Sequence, residues 1–434
     1  MNLPFTRHTL ANGLDVIVHE DHACPIAAVN LWYHVGSKNE TPGRTGFAHL
    51  FEHLMFEGSQ HYDHGYFQPL QGAGATLNGS TNADRTNYWE VVPANALELA
   101  LWMESDRMGF LLPALTEAKF ENQRAVVLNE RRQNYENRPY GMAGMALLGA
   151  LFPPGHPYHW VTIGEPADLE AARLDDVQAF FQRYYHPRNA SLSLAGDVDP
   201  DAALALARAY FEPIVPGEPV DPVTAEASLA REVRVLLEDR IELPRLYLCW
   251  HTPAMFAPGD ADLDLAADFL ANGKTSRLYR RLVFEERIAA DVSASQNSRE
   301  LAGFLQVTAT AAPGHTLAEL ERVIGEEIER LADGGPTADE IERGRITAEA
   351  QFAFRLQTVG GFGGKSDQLN AYNVFTGNPG YFDKDLERYR GVTPSSLSDV
   401  MRRHLLTDRR VALSIVPAGR TDLALPGSIP AVVS

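Results

Sequence analysis

The chain has 434 residues, of which 45% are hydrophobic, and a formal net charge of −19. A single hydrophobic core rarely grows to this size, so the length predicts at least two packed domains. The negative charge repels nucleic acid and anionic membranes, and it favours basic peptides or a basic partner subunit as ligands. We therefore expect neither nucleic acid nor a membrane among its partners.

The N-terminal stretch bears on the cellular location of the protein, and the cysteines bear on the kind of metal site that it can have. The stretch "MNLPFTRHTLANGLDV" lacks the charged start and the apolar run of a signal peptide, and no run approaches the roughly 18 apolar residues of a membrane span. We expect a cytoplasmic protein. Cys24 and Cys249 lie far apart in the sequence, so neither a disulfide framework nor a cysteine zinc site is indicated. Any metal must be held by histidine and carboxylate.

The first predicted elements are two strands, "LDVIVHED" and "IAAVNLWYHVGS", followed by a helix that contains "GFAHLFEHLMFEGS" at residues 46–59. On this helix His49 and His53 lie one turn apart on one face, and Glu52 lies beside them. Two imidazoles at this spacing can bind one zinc ion, and the carboxylate can reach a water on that ion. The order H-x-x-E-H is the inverzincin signature.

The alternative is an ordinary amphipathic helix whose histidines are capped or solvated. The position of Glu52 favours a metal site instead, because polar groups set into an apolar helix face need partners. That apolar face consists of Phe47, Leu50, Phe51, Leu54, Met55 and Phe56.

The next informative element is a predicted helical stretch at residues 116–140. A catalytic zinc ion usually takes three protein ligands and leaves a fourth position for water, so a third ligand should lie on a separate element. This stretch offers four glutamates, namely Glu117, Glu121, Glu130 and Glu136. Spacing alone leaves all four open.

A proline-rich segment, "EPIVPGEPVDPVTAEA", divides the chain almost in half. Proline at every third position suits an extended linker and cannot continue a helix. We predict an N-terminal domain at 1–215, a linker at 216–227 and a C-terminal domain at 228–434. The strands "EVRVLLED" and "RLYLCWHTP" and the helix "DADLDLAADFLANG" repeat the element order of the first half. That second helix has no histidine, so the predicted duplication does not repeat the metal site.

The sequence as a whole resembles the pitrilysin-type zinc peptidases, the family of mitochondrial processing peptidase and the insulin-degrading enzymes. Within that family it resembles the zinc-bearing subunit of the bacterial branch that is similar to processing peptidases. The resemblance rests on H-x-x-E-H and on five further segments in the expected order: "TLANGLDVIVHED", "TLNGSTNADRTNYWEVVP", "ALWMESDRM", "YYHPRNASLSLAGDVDP" and "LANGKTSRLYRRLVFEERIAADVSA". It implies an α+β fold of two homologous halves, each an antiparallel sheet flanked by helices, which enclose a cavity.

The resemblance also implies the roles of the site residues. The family's glutamate ligand corresponds to Glu130, so His49, His53 and Glu130 would hold one zinc ion per chain. Glu52 would take a proton from water and deliver it to the leaving amine, and a peptide bond would be hydrolysed.

A strand on the substrate side is implied at Asn78, Gly79 and Ser80. In the family this strand binds an extended peptide by adding it to the sheet edge, which requires little of the peptide's sequence. The alternative is an ordinary edge strand with a glycine bulge.

Three positions depart from the family pattern. Gln123 stands where members commonly have a second glutamate. An amide next to the metal site can orient a neighbouring group but cannot neutralise a metal. We expect activity to survive this difference. Val283 and Ala290 stand in the slots of an arginine and a tyrosine that hold substrate and stabilise the oxyanion. We therefore expect this chain to be the zinc-bearing subunit of a heterodimer with a homologous partner that supplies this pair, although a homodimer stays open.

Two function classes follow. The first is a zinc endopeptidase that cleaves peptides or processing segments in an enclosed chamber. The second is a non-catalytic core or assembly subunit of the same fold. A structural subunit is free to lose its zinc motif, and all four motif residues are present, so the sequence favours the peptidase.

Overall fold

The computed structural model describes residues 3–433, which form two compact units. The first unit comprises the chain up to Glu130 together with residues 162–223 and 350–384. The second comprises residues 131–161, residues 224–349 and the chain from Asp385 onward. No helix within residues 3–433 is both long enough and apolar enough to cross a bilayer.

The first unit is built on one sheet. Its strands are β1 (Thr6–Thr9), β2 (Asp15–Glu20), β3 (Ile26–Tyr33), β4 (Thr76–Thr81), β5 (Thr86–Pro93) and β6 (Ala190–Gly196). Their spatial order is β1-β2-β6-β3-β5-β4. The β2–β6 pair is parallel, and the other neighbours are antiparallel.

The second unit has an equivalent sheet. Its strands are β7 (Val233–Asp239), β8 (Arg245–Thr252), β9 (Ala289–Asn297), β10 (Gly303–Ala311), β11 (Arg410–Pro417) and β12 (Ile429–Pro430). Their order is β12-β7-β11-β8-β10-β9, and β11 is parallel to β7 and antiparallel to β8. The order β2-β6-β3-β5-β4 in the first unit therefore recurs as β7-β11-β8-β10-β9 in the second.

The predicted α+β fold of two sheet-and-helix halves is confirmed, but the expectation of purely antiparallel sheets is wrong. The first sheet contains one parallel pair, β2 with β6, and the second contains two, β7 with β11 and the short β12 with β7. The reason is topological. Because β2 and β3 run in opposite directions and β6 inserts between them, β6 must be parallel to one of the two, and the same holds for β11 between β7 and β8.

Helices cover the sheets of both units. They are α1 (Phe47–Leu54), α2 (Phe67–Gly72), α3 (Leu97–Phe110), α4 (Glu117–Arg131), α5 (Ala143–Leu151), α6 (Pro166–Ala171), α7 (Leu174–Tyr184), α8 (Pro200–Phe211), α9 (Asp260–Ala271), α10 (Leu317–Gly334), α11 (Ala338–Arg355), α12 (Lys365–Thr376), α13 (Phe382–Arg390) and α14 (Pro394–His404). The helical stretch predicted at 116–140 is α4 followed by a π-helical turn at Arg132–Glu136. It is thus shorter than expected.

Two helices pack on the sheet of the other half of the chain. Between β5 and β6 in the sequence lies α5, which packs on β7, β8 and β11, while α12 lies between β10 and β11 and packs on β2, β3 and β6. The compact units therefore differ from the predicted domains at residues 131–161 and 350–384, because each of these helices buries its apolar face on the other sheet. The predicted linker at 216–227 contains neither helix nor strand, and one of the five points at which the chain passes between the units, after Val223, falls within it.

Candidate metal centre

The start of α1 is fixed by a carboxylate. Gly46 precedes the helix with a φ of 87°, a left-handed conformation that glycine adopts without strain. Its N–H donates to Oε2 of Glu40 at 3.0 Å, and the N–H of Ala48 donates to Oε1 at 2.9 Å. Glu40 therefore satisfies two N–H groups at the helix start and places a negative charge at the positive end of its dipole.

The inner face of α1 packs into the first unit. Its buried residues are Phe47, Ala48, Leu50, Phe51 and Leu54. The Phe51 ring lies 5.1 Å from the ring of Tyr185, and the hydroxyl of Tyr88 donates to the Phe51 carbonyl at 3.1 Å. These contacts fix the rotation of the helix about its axis, and with it the direction of the remaining, polar side chains.

The structure brings His49, His53 and Glu130 together. The Oε2 atom of Glu130 lies 3.8 Å from Nε2 of His49 and 3.4 Å from Nε2 of His53. One ligand atom from each residue lies within 4.8 Å of the other two, and within residues 3–433 these three form the group of histidines and acids with metal-binding geometry. Of the four candidate glutamates, Glu130 is the one that reaches the histidines. Glu136 instead pairs with Arg131 at 3.1 Å.

The donor set fits zinc. Zinc bonds of about 2.0–2.2 Å in a tetrahedral site set neighbouring ligand atoms roughly 3.3 Å apart, so the observed distances require only a small adjustment. Burial, reinforced by the neighbouring His53, lowers the pKa of His49 to about 4. The imidazole is therefore neutral near pH 7, which is the form that binds a metal.

Glu52 lies beside this group without belonging to it. Its side chain is partly buried, and this burial raises its pKa, while the Thr81 hydroxyl and His53 oppose the shift. A carboxylate whose pKa is raised towards neutrality exchanges protons more readily at neutral pH. The position and environment of Glu52 are those expected of a general base.

A groove of about 390 Å³ opens next to Glu52 and His53. It is lined by Glu52, His53, Phe56, Glu57, Phe67, Asn78 and Gln123. Gln123 donates a hydrogen bond from Nε2 to Oε1 of Glu57. The predicted neighbour of the metal site therefore contacts a second groove carboxylate, which the sequence reasoning missed. The available signal was proximity in the sequence, since Glu57 follows His53 by four residues, just beyond the end of α1.

The predicted substrate strand β4 is one of the two edge strands of its sheet. The N–H of Asn82 donates to the Arg85 carbonyl at 3.0 Å, which sets the alternation of hydrogen-bonded pairs along the hairpin. The backbone groups of Asn78 and Ser80 therefore face β5, and those of Gly79 face the open edge. The Gly79 N–H donates to Oδ1 of Asn78 at 2.8 Å. Gly79 is thus the member of the predicted trio that offers its backbone to an added strand.

A buried charge cluster on α3 and β5 lies next to these elements. The Arg107 side chain is fully buried; its Nε donates to Oε2 of Glu104 at 2.9 Å, and its Nη2 lies 3.4 Å from Oε1 of Glu90. The guanidinium packs on the rings of Tyr66 at 3.9 Å and Tyr88 at 4.1 Å. Burial and the Glu104 carboxylate hold the pKa of Glu90 well above its usual range. Tyr88 connects this cluster to α1.

The two positions where the family's arginine and tyrosine were expected lie in the second unit. Val283 lies in a π-helical segment, Tyr279–Glu285, and packs half-buried against the hydrophobic core of that unit. Ala290 is exposed near the start of β9. Neither side chain has a hydrogen-bond donor.

Comparison with known proteins gives two matches to one family. Residues 15–152 match the family described as insulinase (peptidase family M16), and residues 171–347 match the peptidase M16 inactive domain. Together these matches include the metal group and most of the second sheet.

Individual relatives are similar over much of the chain. A zinc protease, PqqE, of Helicobacter pylori is 29% identical over 81% of this chain and 80% of its own length. The beta subunit of the mitochondrial-processing peptidase of Caenorhabditis elegans is 25% identical over 55% of this chain and 51% of its own. The crystal structure of a protease from Helicobacter pylori superposes with a TM-score of 0.87 at 25% identity, covering 96% of this chain and 100% of that one.

Proposed function

Because this chain belongs to the M16 peptidase family, we propose that it is a zinc-dependent endopeptidase that hydrolyses peptides or processing segments. The observation that carries the proposal is the convergence of His49, His53 and Glu130, with Glu52 beside them on the same helix. Relatives named as zinc proteases support the choice of metal and of reaction.

Each residue of the site has a role in this proposal. His49, His53 and Glu130 hold one zinc ion per chain, and the bound ion supplies a Lewis acid that polarises a carbonyl and lowers the pKa of water. Glu52 accepts the proton of the attacking water and returns it to the nitrogen of the leaving amine. The buried setting of Glu52 favours both transfers.

Substrate binding is assigned to the edge of β4. An extended peptide placed there pairs with the outward backbone groups of Gly79, and Asn78 lines the groove beside the metal group. The peptide has to replace the hydrogen bond between the Gly79 N–H and the Asn78 side chain. Ser80 supports the strand from within, because its carbonyl accepts a hydrogen bond from Arg85 at 2.9 Å.

A Glu52→Gln variant tests the catalytic assignment. We expect the purified variant to retain its zinc, measured by metal analysis, and to lose at least a hundredfold in the rate of peptide hydrolysis, as general-base loss typically causes. Glu117→Gln makes the same chemical change at an exposed position on α4 and should leave the rate unchanged. Unchanged hydrolysis by Glu52→Gln would refute the proposal.

The proposal includes a homologous partner that supplies the missing arginine and tyrosine. It is supported by Val283 and Ala290, whose side chains lack hydrogen-bond donors, and by one relative that is named as a peptidase subunit. We expect hydrolysis to rise when the chain is mixed with such a homologue. If the chain alone is fully active and no homologue changes its activity, the proposal of a partner is wrong. The zinc assignment does not depend on that result. A cytoplasmic location and an enclosed chamber also remain part of the proposal.

The alternative is a non-catalytic core or assembly subunit. One observation favours it: the match of residues 171–347 is to a domain described as inactive. That match does not include the four motif residues. A chain that binds no zinc and hydrolyses no peptide, alone or with a homologue, would support this alternative.

A further inference from the structure

We infer that the second unit binds the phosphate ester of a small molecule in a cavity where the end of α14 meets the end of β8. The inference goes beyond the proposed peptidase function and does not depend on it, because no residue of the candidate metal centre lines this cavity. It rests on the size, the charge and the donor groups of the cavity.

The cavity has a volume of about 270 Å³ and lies between three segments of the second unit. These are residues 227–229, which precede β7, residues 251–253 at the end of β8, and the end of α14 with the loop that follows it. Leu229 and Pro253 give it an apolar wall. The volume is close to the lower end of the range for small-molecule sites, so it leaves room for a phosphate group and a few further atoms.

The cavity presents positive charge without a matching carboxylate. Arg403 and Arg409 line it, whereas no aspartate or glutamate does. Within residues 3–433 neither guanidinium forms an ion pair, and the nearby Asp399 carboxylate pairs with Arg402 instead. The Nε of Arg403 donates to the Asp399 carbonyl at 3.2 Å, which leaves its two terminal amino groups for a ligand. Both arginines are therefore available to an anion.

A simpler explanation is that these cations stabilise the end of a helix. Arginine in the last turn of a helix interacts favourably with the helix dipole, and this accounts for Arg403. It does not account for Arg409, which lies in the loop beyond α14 and lines the same cavity. The convergence of the two side chains is thus the observation to be explained.

The two guanidiniums lie near one imidazole. The ring of His404, the last residue of α14, has its Nδ1 atom 3.2 Å from the His251 carbonyl oxygen. Burial lowers the pKa of His404, and Arg403 and Arg409 lower it further. Both cations therefore act on the same ring, and an anion beside that ring would interact with both. The N–H of Arg409 donates to Oγ1 of Thr407 at 2.8 Å, which stabilises the turn that returns Arg409 to the cavity.

The donor groups fit phosphate better than a carboxylate. A guanidinium binds phosphate through two parallel N–H···O bonds, and two guanidiniums match the charge of about −1.5 to −2 that a phosphate monoester carries at pH 7. The hydroxyls of Ser228 and Thr407 line the same cavity and can donate to further oxygens. His251 also lines it, and its Nε2 atom is buried without a hydrogen-bond partner among the described residues. A carboxylate has one charge and two oxygens, and it would leave part of this set unused.

Isothermal titration calorimetry of the full chain at pH 7 tests the inference. The probes are glycerol 3-phosphate, inorganic phosphate and acetate. We expect one molecule of glycerol 3-phosphate to bind per chain, at least as tightly as inorganic phosphate and at least tenfold more tightly than acetate. Arg409→Gln should weaken this binding about fivefold, as the loss of one exposed charge pair does, and Arg403→Gln with Arg409→Gln should weaken it about twenty-fivefold.

Arg240→Gln is the matched control for the single variant, because it removes an exposed arginine of the same unit that does not line the cavity. Arg240→Gln with Arg208→Gln matches the charge change of the double variant. Both controls should bind glycerol 3-phosphate as the unmodified chain does, which separates the cavity from the effect of net charge. Circular dichroism verifies that every variant is folded.

Three results would overturn the inference. They are the absence of glycerol 3-phosphate binding by the unmodified chain, equal binding of acetate, and an affinity that persists when both Arg403 and Arg409 are replaced. The last result is also the one expected if the phosphate group binds to a metal ion instead of the cavity. Binding of inorganic phosphate but not of glycerol 3-phosphate would contradict the assignment of an ester. None of these results bears on the zinc content or on the Glu52→Gln test.

Discussion

At the scale of single residues, the hydrogen bond from Gln123 orients the Glu57 side chain in the groove. Gln123→Glu would place two carboxylates within hydrogen-bonding distance. We expect this change to lower the free energy of unfolding at pH 7 by about 1 kcal/mol, since a hydrogen bond is lost and two like charges meet. Urea titration measures it.

The exchange of the two side chains supplies the control. The double variant Glu57→Gln and Gln123→Glu restores one amide and one carboxylate, so most of the lost stability should return, and the coupling between the two positions should be measurable in a double-mutant cycle. If the single and double variants unfold alike, the two side chains do not interact.

At the scale of elements, α3 contributes a cation that holds the core next to the groove. The Arg107 guanidinium lies between Glu104 and Glu90 and 5.4 Å from the ring of Phe56. Arg107→Met would leave the buried side chains of Glu104 and Glu90 without their cation. We expect a loss of about 3–5 kcal/mol in the free energy of unfolding, measured by urea titration at pH 7.

Two further variants serve as controls for this prediction. Arg107→Lys keeps the charge but loses the planar fork that contacts both carboxylates, so its loss should be smaller than that of Arg107→Met. Arg208→Met makes the same change at an exposed position of α8 and should fall within about 0.5 kcal/mol of the unmodified chain. A loss for Arg107→Met as small as that for Arg208→Met would contradict the role of the buried cluster.

At the scale of the whole molecule, stability should fall in mild acid. Burial lowers the pKa of His251 to about 4, and its ring packs at 5.2 Å from Phe152. The unfolded chain binds this proton near pH 6.5, the folded chain only near pH 4. The free energy of unfolding therefore decreases as the pH falls between these values, by up to about 3 kcal/mol from this residue.

The pH dependence of unfolding in the variant His251→Phe measures this contribution. Phenylalanine also has an aromatic ring but no nitrogen that titrates. The variant should therefore lose less stability between pH 6.5 and pH 4 than the unmodified chain. His156, whose pKa burial also lowers, titrates in both proteins, and it adds to the lowering of the His251 pKa. If the free energy of unfolding falls equally with pH in the unmodified chain and in His251→Phe, then His251 is not buried as a neutral imidazole.

The sequence by itself determined those features that depend on local spacing. Period-two strands and a period-3.6 helix predicted the similar element order of the two halves, and the i, i+4 spacing predicted that His49 and His53 share a helix face. The family resemblance implied the two sheet-and-helix halves, which the structure confirms. Spacing left the third ligand open among four glutamates, and family resemblance singled out Glu130. The structure brings Glu130 to the histidines, while its role as a zinc ligand stays a prediction.

Only the tertiary structure decided the features that depend on contacts between distant segments. The pairing of Gln123 with Glu57, the contact of Arg107 with Glu90, the parallel β2–β6 pair and the packing of α5 and α12 all join different elements of the chain. Helical and strand periodicity reports which face of an element is apolar, but not which other element covers that face. The residues that line the groove beside the candidate metal centre could therefore be identified only from the tertiary structure.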